Sequence, residues 1–285
     1  MQKAGKYRTI DISNADKPSI RFLYNTIPGR VLLKILIRPP ISKLAGFLLR
    51  SPASRILINK FIRQNNIDMT EYRSVRYKSF DEFFIRELKP GYRPLSENKN
   101  DIIAPCDGKL TVYQISEESV FNIKRSKYSL SELLLDENLA GEFSDGICLI
   151  FRLTPDDYHR YIFTDDCEIL HQKRIDGVLH TVQPIAYQRC SVFCRNTREY
   201  TIMQTENFGK AVQMEVGALF VGKISNHSKN HTALRGEEKG MFRFGGSTVI
   251  LLFKNGAVTI ADEIYENTKQ NKETIVRMGE VIGHA

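Results

Sequence analysis

Acidic residues are missing from one stretch of this 285-residue chain. Between Lys17 and Arg63 the sequence has ten Lys or Arg and no Asp or Glu, whereas the rest carries 31 basic and 33 acidic residues. The formal net charge of +8 therefore arises in this N-terminal segment. The segment is also rich in Leu, Ile and Phe, more so than a face that tracks nucleic-acid phosphates needs, so we expect no nucleic-acid partner.

No apolar run is long enough to cross a membrane. Single cations interrupt the N-terminal apolar clusters, and none reaches the roughly 18 uncharged residues that a span requires. A secretory signal peptide is not expected either, because the apolar part starts late and contains these cations. Pro39-Pro40 and Pro52 divide the segment into short helices, since proline ends or kinks a helix. The clusters run from Val31 to Arg38, from Leu44 to Arg50 and from Ile56 to Arg63.

Short, basic, amphipathic helices of this kind are typical of segments that lie in a membrane interface. Each Lys or Arg near an anionic leaflet contributes about 1 kcal/mol to such binding. The sequence leaves one other arrangement open, in which these helices pack their apolar faces on the rest of the protein. We predict an N-terminal helical region, residues 1–79, on an anionic membrane surface, which makes this a peripheral protein at the cytoplasmic face of the cell membrane.

The cysteines show no disulfide framework. There are five of them, an odd number, and only Cys190 and Cys194 are closely spaced. No second Cys or His pair at zinc-site spacing accompanies those two, so we expect no metal site. Reduced thiols in a protein that faces the cytosol explain this usage.

From about Asp101 the chain consists of short runs of β-type residues separated by Gly, Asn and Asp. One short helix is predicted over Ser129 to Leu135, with Ser129 as its N-cap. We therefore predict an α+β fold: a mainly antiparallel β body, residues 80–285, preceded by the helical, membrane-associating segment. The predicted strands include Lys109 to Ile115, Ile147 to Leu153, Ala211 to Val216, Thr248 to Phe253 and Ala257 to Ile260.

Four polar motifs lie on this body. The first places Asp107 on an Asp-Gly turn that enters a strand, and the second places His159 shortly after another strand. The third is the glycine-containing stretch Val216 to Ile224, where backbone segments can approach closely. The fourth is Gly245-Gly-Ser-Thr248, which leads directly into an apolar strand. Taken singly, each motif also fits an ordinary turn or packed residue.

The fourth motif suits a chain that attacks its own backbone. Ser247 has two glycines before it and hence little steric cover on its N-terminal side. Its hydroxyl can therefore reach the carbonyl of Gly246, the preceding residue. A serine hydroxyl needs a neighbouring base to act as a nucleophile, and histidine, which titrates near neutrality, is a suitable one.

The residues of the four motifs, and their order along the chain, resemble those of the pyruvoyl-dependent phosphatidylserine decarboxylase family from about Phe80 onward. Three further segments are similar to that family: Phe80 to Pro94, Phe121 to Leu134 and Glu273 to Glu280. Several independent motifs in the same order make this resemblance much more specific than the Gly-Gly-Ser turn alone.

The resemblance implies a self-processing enzyme. Ser247 would add to the carbonyl of Gly246, and the chain would split between residues 246 and 247 into two pieces that stay associated. Ser247 would become a covalent pyruvoyl group, so no pyridoxal phosphate is required. The resemblance implies His159 as the base and Asp107 as the carboxylate that fixes its tautomer.

One position departs from the family pattern. Some members have a second histidine three residues after the position of His159, and Ile162 stands there in this chain. Either His159 serves both self-cleavage and decarboxylation, or another group takes one task. His180 is a possible substitute, and a histidine simply packed within a strand is the alternative interpretation of that residue.

The expected activity is decarboxylation of phosphatidylserine to phosphatidylethanolamine and CO₂ in phospholipid biosynthesis. The same motifs also fit a pyruvoyl enzyme that acts on another serine lipid or on a soluble amino acid. A third hypothesis is a degenerate, non-catalytic membrane-binding scaffold, and the intact Gly246, Ser247 and Asp107 argue against it.

Overall fold

A computed structural model describes residues 6–12, 18–123, 126–187, 191–219, 223–227, 231–244 and 247–285. Gly246, on one side of the predicted cleavage site, and Cys190 lie outside these ranges. Within them the chain is a mixture of helices and antiparallel sheet, which confirms the predicted α+β class.

Prolines divide the N-terminal helices as the sequence predicts. Thr26 caps the second helix by accepting a hydrogen bond from the amide of Gly29, at 3.0 Å, and the third helix begins at Pro39. A short 3₁₀ turn, Pro52–Arg55, precedes the fourth helix, and another, Met69–Glu71, follows it. The α-helices of this region are α1 (Pro18–Asn25), α2 (Ile27–Leu36), α3 (Pro39–Arg50) and α4 (Ile56–Gln64).

The remaining described helices are short. The predicted helix after Ser129 is present, with Ser129 at its N-cap position, although the serine side chain makes no capping hydrogen bond. These helices are α5 (Phe80–Phe84), α6 (Leu130–Leu134), α7 (Glu137–Gly141), α8 (Pro184–Tyr187), α9 (Val192–Arg195) and α10 (Asp262–Lys269).

The described strands pair in antiparallel fashion throughout the named sheets. The largest sheet has the order β1-β16-β3-β6-β14-β10-β9-β8-β12, and a smaller one has the order β11-β13-β7. The strands are β1 (Thr9–Asp11), β2 (Asp101–Ile103), β3 (Gly108–Gln114), β4 (Val120–Ile123), β5 (Ser126–Ser129), β6 (Ile147–Leu153), β7 (Arg160–Ile162), β8 (Cys167–Ile175), β9 (Arg198–Thr205), β10 (Gly209–Val216), β11 (Lys223–Asn226), β12 (Thr232–Ala233), β13 (Glu238–Arg243), β14 (Ser247–Phe253), β15 (Thr259–Ile260), β16 (Lys272–Val276) and β17 (Val281–His284).

Strand β14 is the centre of the large sheet and is buried along its whole length. Its side chains alternate between two cores: Val249 and Leu251 point into one, and Ile250 and Leu252 into the other. A strand covered on both faces is continuously apolar, which explains why this run of β-type residues was visible in the sequence.

The N-terminal region contacts the β body at several places. Leu23 and Tyr24 of α1 are buried in one of the two cores beside the large sheet, and Ile58 of α4 packs in a third cluster with Phe83 and Phe84. Strand β1 pairs with β16 at the edge of the large sheet. The division at residue 79 therefore stays a prediction, and the two regions share their cores.

Large apolar side chains are also exposed on these helices. Of the sixteen exposed large hydrophobic residues in the described chain, ten lie between Phe22 and Leu57. Phe47 and Ile56 are 67% and 83% exposed. Among the described residues, no helix combines the length and the apolar character needed to cross a membrane.

Candidate active site

The four sequence motifs meet at one end of the large sheet. Ser247, the first residue of β14, pairs with Leu153, the last residue of β6. Thr248 pairs on its other side with Val216, the last residue of β10. The Asp107 turn leads into β3, which pairs with β6 at the same end. Antiparallel pairing thus brings together segments that are more than 100 residues apart in the sequence.

The side chain of Ser247 is fully buried. Its Oγ atom has no hydrogen-bond partner among the described residues. A buried polar atom left unpaired costs about 1–3 kcal/mol. Ser42, Thr201 and Thr248 also have unpaired buried hydroxyls in the described chain, so what distinguishes Ser247 is its position at the predicted cleavage bond. An unpaired, buried hydroxyl beside the Gly246–Ser247 bond is available for chemistry on that bond.

His159 is held in a single neutral form. Its Nδ1 atom lies 2.9 Å from the backbone oxygen of Asp157. A carbonyl oxygen only accepts, so Nδ1 carries the hydrogen and Nε2 carries the lone pair. The ring is fully buried and packs on Phe84, with the ring centroids 4.1 Å apart. Burial, followed by the charge of Arg86, lowers the pKa of His159 to about 3. The imidazole is therefore neutral at physiological pH.

The free nitrogen of His159 faces a dry environment. Among the described residues Nε2 is buried and has no hydrogen-bond partner. A buried lone pair that accepts no hydrogen bond from the described residues is available to accept a proton from a neighbouring hydroxyl.

The backbone connects His159 to the start of β14. The amide of Phe242 donates to the carbonyl oxygen of His159 at 2.9 Å. The centroids of the Phe244 and Phe84 rings are 5.3 Å apart, and Phe84 is the ring on which His159 packs. Ser247 is three residues beyond Phe244, a span of at most about 11 Å. The histidine and the serine are therefore placed at the same end of the sheet.

Arg86 fixes the loop that leads to His159, and sequence reasoning did not single it out. Its Nη2 atom donates to the hydroxyl of Tyr72 and to the carbonyl oxygens of Asp156 and Asp157, at 3.2, 3.3 and 3.2 Å. The guanidinium is buried and lies 4.3 Å from the centre of the Tyr72 ring. Arg86 and His159 thus bind the same carbonyl oxygen, that of Asp157.

Lys109 fixes the same loop from the other side. Its Nζ atom is 2.7 Å from the Asp157 carboxylate and 2.5 Å from the hydroxyl of Thr154. That carboxylate also accepts the backbone amide of Thr154 at 2.6 Å. Burial raises the pKa of Asp157, although the Lys109 cation opposes the rise. Main-chain and side-chain bonds together leave the histidine loop little freedom.

Asp107 has different partners from those that the sequence suggested. Its carboxylate forms two hydrogen bonds with the Arg93 guanidinium, at 3.0 and 2.7 Å, and accepts the amide of Met278 at 2.8 Å. The hydrogen bond that sets the His159 tautomer comes instead from the Asp157 backbone. Burial lowers the pKa of Arg93, but its ion pairs with Asp107 and Glu71 outweigh that effect and raise it.

His180 is linked to the same strand ends, and its Nε2 atom, like that of His159, is buried and has no hydrogen-bond partner among the described residues. It is in an irregular segment rather than a strand, which corrects the alternative interpretation made from the sequence. Asn196 holds it there: its side chain accepts the His180 amide at 2.9 Å and donates to the carbonyl of Gly217 at 2.8 Å. The His180 Nδ1 atom lies 3.0 Å from the hydroxyl of Tyr24. Burial, with a smaller effect of Arg195, lowers the pKa of His180 to about 4.

Ile162 occupies the position where some relatives have a second histidine. It is buried in β7, and its amide donates to the carbonyl of Pro105 at 2.9 Å. The backbone at this position therefore lies beside the segment that leads into the Asp107 turn, and isoleucine contributes no ionisable group there.

A buried serine with an unpaired hydroxyl, and a neutral histidine with a free nitrogen at the same sheet end, are the two groups that chemistry with a serine nucleophile requires. Residues 80–284 match the family model described as phosphatidylserine decarboxylase. The chain belongs to the phosphatidylserine decarboxylase family, which confirms the resemblance found in the sequence.

Relatives are similar over nearly the whole chain. One, phosphatidylserine decarboxylase proenzyme 2 of Clostridium acetobutylicum, is 48% identical over 265 residues, which is 93% of this chain and 91% of that protein. The phosphatidylserine decarboxylase proenzyme of Clostridium botulinum strain Langeland is 42% identical over 98% of this chain and 97% of its own length. That of Ruminiclostridium cellulolyticum is 43% identical over 92% and 89%.

Proposed function

We propose that this chain is the precursor of an enzyme that decarboxylates phosphatidylserine to phosphatidylethanolamine and CO₂, after splitting itself between Gly246 and Ser247. One observation carries the proposal: the buried, unpaired Ser247 hydroxyl and the buried, unpaired His159 Nε2 atom lie at the same end of the sheet. Membership of the family supplies the reaction that this pair of groups serves.

Self-cleavage begins with proton transfer from the hydroxyl of Ser247 to Nε2 of His159. The oxygen adds to the carbonyl carbon of Gly246, and breakage of the peptide C–N bond leaves an ester and a free amine on residue 247. Loss of a proton from the α-carbon of residue 247 then expels the Gly246 carboxylate and leaves a dehydroalanine. Tautomerisation and addition of water release ammonia and leave a pyruvoyl group. Positioned acid–base help of this kind accelerates a step by about 10²- to 10⁴-fold.

Position 247 fits the resulting group. It is fully buried at the first residue of a central strand, so the modified residue would have a fixed place and no bulk water around it. The pyruvoyl group supplies a ketone that condenses with the amine of the substrate and accepts the electrons released when CO₂ leaves. His159 would hold or return a proton at Nε2, the nitrogen left free by its bond with Asp157.

Asp107 enters the proposal as a positioning residue. Its bonds go to Arg93 and to the Met278 amide, so it would act by fixing the turn beside β7 rather than on the imidazole. We assign both tasks, self-cleavage and decarboxylation, to His159, whose ring packs on Phe84 and so lies beside the Phe244 ring near the cleavage site.

The two pieces of the split chain would stay together. The smaller piece begins with β14, which pairs with β6 over seven residues and with β10 over six. It also contains β16, which pairs with β3. Separating the pieces would expose the middle of the large sheet and both of its cores.

The enzyme would act at a membrane surface. The exposed apolar side chains of α2, α3 and the start of α4 suit burial in a lipid interface, and the neighbouring cations suit an anionic leaflet. This exposure favours a lipid substrate over a soluble amino acid, and an anionic leaflet on the cytoplasmic face is the surface that we propose.

Denaturing mass spectrometry of the purified full-length chain tests the proposal. We expect two species, one that ends at Gly246 and one that begins at residue 247 and is lighter by one ammonia than a chain beginning with serine. Ser247→Ala should stay full length and release no CO₂ from phosphatidylserine. As a matched control, Thr201→Val removes another buried hydroxyl without a partner in the described chain, and it should split normally. An intact wild-type chain with an ordinary Ser247 would refute the proposal.

A further inference from the structure

A cavity of about 520 Å³ lies between α3 and the small sheet, next to the strand that leads toward the cleavage site. This volume is within the range of about 300–1,000 Å³ that small-molecule sites occupy. Phe244 lines it, three residues before Ser247. The cavity is present in the unsplit chain, so it does not depend on processing.

The lining of this cavity is strongly basic. Among the described residues that line it, Asp81 is the one acidic side chain, and it forms an ion pair with Arg243 at 2.5 Å. Five cations line the cavity: Lys43 and Arg50 from α3, Arg174 from β8, Lys223 from β11 and Arg243 from β13.

Three of these cations have no counter-charge within the described part of the chain. Arg174 pairs with Asp176 and Glu199 at 3.1 and 3.4 Å. Lys43, Arg50 and Lys223, in contrast, form no ion pair with any residue that the structure describes. Cations brought together from separate elements without carboxylate partners repel one another, and an anion bound among them removes that cost. The cavity is therefore electrostatically suited to a small anion.

The helix that supplies Lys43 and Arg50 also carries exposed apolar residues on an adjoining face. Lys43, Gly46 and Arg50 face the cavity at helical spacing. Leu44 and Phe47, 58% and 67% exposed, lie on the neighbouring face of the same helix. An anion in the cavity would thus lie just beside the surface that meets a lipid leaflet.

We propose that this cavity binds the phosphodiester of the serine phospholipid. The inference rests on the proposed function and adds a substrate-binding site to it. In such a lipid four bonds separate the reacting nitrogen from phosphorus, a reach of about 5 Å. When the nitrogen is at residue 247, the phosphodiester must lie nearby, with the acyl chains leading back to the membrane. Phe244, three residues before residue 247, lines this cavity, and the apolar face of α3 borders it, so the cavity is adjacent in the chain to the reacting position and in space to the membrane-facing helix.

The test uses binding to the unsplit Ser247→Ala chain, measured by calorimetry. The probe is sn-glycero-3-phospho-L-serine, which has the headgroup without acyl chains. Lys43→Gln combined with Arg50→Gln should weaken its binding roughly tenfold or more, because two charged donors are lost. Lys34→Gln combined with Lys60→Gln removes two cations of the same segment that do not line the cavity, and it should leave the affinity unchanged.

Two further probes define what is bound. O-methyl-L-serine keeps the amine and carboxylate but has no phosphodiester, and it should bind equally weakly to both double variants. Inorganic phosphate should compete with the headgroup only in the variant that retains Lys43 and Arg50. Affinity for anionic vesicles should fall in both pairs, since each loses two charges, and should fall further in the cavity pair, because vesicle phospholipids carry the phosphodiester.

The mature enzyme gives an independent measurement. The cavity variant should split completely, keep its kcat and raise the KM for phosphatidylserine well beyond the increase in the control variant, whose only defect is weaker binding to the membrane. No detectable binding of glycerophosphoserine to the Ser247→Ala chain, or equal affinity in the two double variants, would overturn the phosphodiester site. A wild-type chain that neither splits nor releases CO₂ would contradict the proposed function instead, and the two failures are therefore distinguishable.

Discussion

The carbonyl oxygen of Asp157 accepts the Nδ1 hydrogen of His159 at 2.9 Å. This backbone atom gives the histidine its tautomer, a role that many serine hydrolases assign to a carboxylate. The difference matters for pH dependence, because a neutral carbonyl stabilises an imidazolium less than a carboxylate would. Burial and the charge of Arg86 then keep His159 neutral over the whole physiological range.

Self-cleavage should therefore show no inflection near the ordinary histidine pKa of about 6.5. The proposed base, His159, is already neutral at pH 5, because its pKa is lowered to about 3. We expect the rate of chain splitting, followed by gel after cell-free synthesis, to be flat from about pH 5 to 8. A tenfold fall per pH unit below pH 6.5 would show that His159 titrates normally or that another group is the base.

The same shift predicts how stability depends on pH. The folded chain keeps His159 neutral, while the unfolded chain protonates it below about pH 6.5. Folding stability is therefore lost as the pH falls toward about 3, by about 1.4 kcal/mol per pH unit from this one residue. Urea unfolding of the Ser247→Ala chain at pH 7 and 5 measures the slope. Adding His159→Gln should reduce the pH dependence of the unfolding free energy by the equivalent of one bound proton. An unchanged pH dependence in that variant would contradict the lowered pKa of His159.

Arg86→Gln should change both the position and the protonation of His159. It removes the bonds to the Asp156 and Asp157 carbonyls and a cation that lowers the pKa of His159. We expect a loss of about 1–3 kcal/mol in stability and slower splitting. The acid limb, the low-pH range in which the splitting rate falls, should move to higher pH. A merely structural role would lower the rate without moving that limb.

Arg73→Gln is the matched control for this change. Arg73 is exposed and its ion pair with Glu87 lies on the surface, where such pairs contribute about 0–1 kcal/mol. It should leave both the rate and the pH profile of cleavage as they are.

Asp107→Asn and Arg93→Gln break the same buried ion pair. Both should lower stability by about 3 kcal/mol, since each leaves a partner of a buried pair uncompensated. If Asp107 acts through Arg93, the two changes should slow self-cleavage to a similar degree once both chains are fully folded. Splitting rates and melting curves of the two variants give the comparison. If Asp107→Asn slowed self-cleavage a hundredfold more than Arg93→Gln, the Asp107 carboxylate would have a direct role in the reaction.

Phe47→Ser combined with Ile56→Ser should weaken binding to anionic vesicles without affecting self-cleavage or stability. Each residue is more than two-thirds exposed, so neither contributes much to the core. Burial of such a side chain in lipid is worth about 1.5–3 kcal/mol, and flotation assays should show a loss of roughly tenfold or more for each. Point variants are preferable to a deletion, because Leu23 and Tyr24 belong to the core.

Leu170→Ser combined with Leu234→Ser provides the corresponding control. Both leucines are exposed, at 47% and 68%, but lie outside the N-terminal helices. Vesicle binding that falls equally in this pair would show that the apolar face of the N-terminal helices is not the membrane surface.

The sequence predicted the regular elements where their signals were local. Prolines marked the boundaries of α3, and the continuous apolar run of β14 was predicted to within one residue. Helix α10 was missed because its eight residues are mostly polar, with Ile264 as the one buried side chain. The segment around His180 carries β-branched residues, yet bonds with Asn196 hold it in an irregular conformation. Non-local hydrogen bonds leave no pattern in the sequence.

In the candidate site, too, the sequence predicted some residues and missed others. Ser247 and His159 were visible because their residue types and neighbours belong to recognisable motifs. Arg86 was not, since a single arginine in a charged segment has no pattern that marks it as buried. The Asp157 carbonyl could not have been found at all, because every residue has a backbone oxygen.

By itself the sequence determined the chemistry of this protein: a serine after two glycines, a histidine motif and a basic apolar N-terminus. These are properties of residue type and order, which the chain carries whether or not it is folded. Only the tertiary structure decided which atom orients His159, which partners Asp107 takes, and that cations from four separate elements line one cavity. Burial and distance set those outcomes, and both arise only when distant segments pack together.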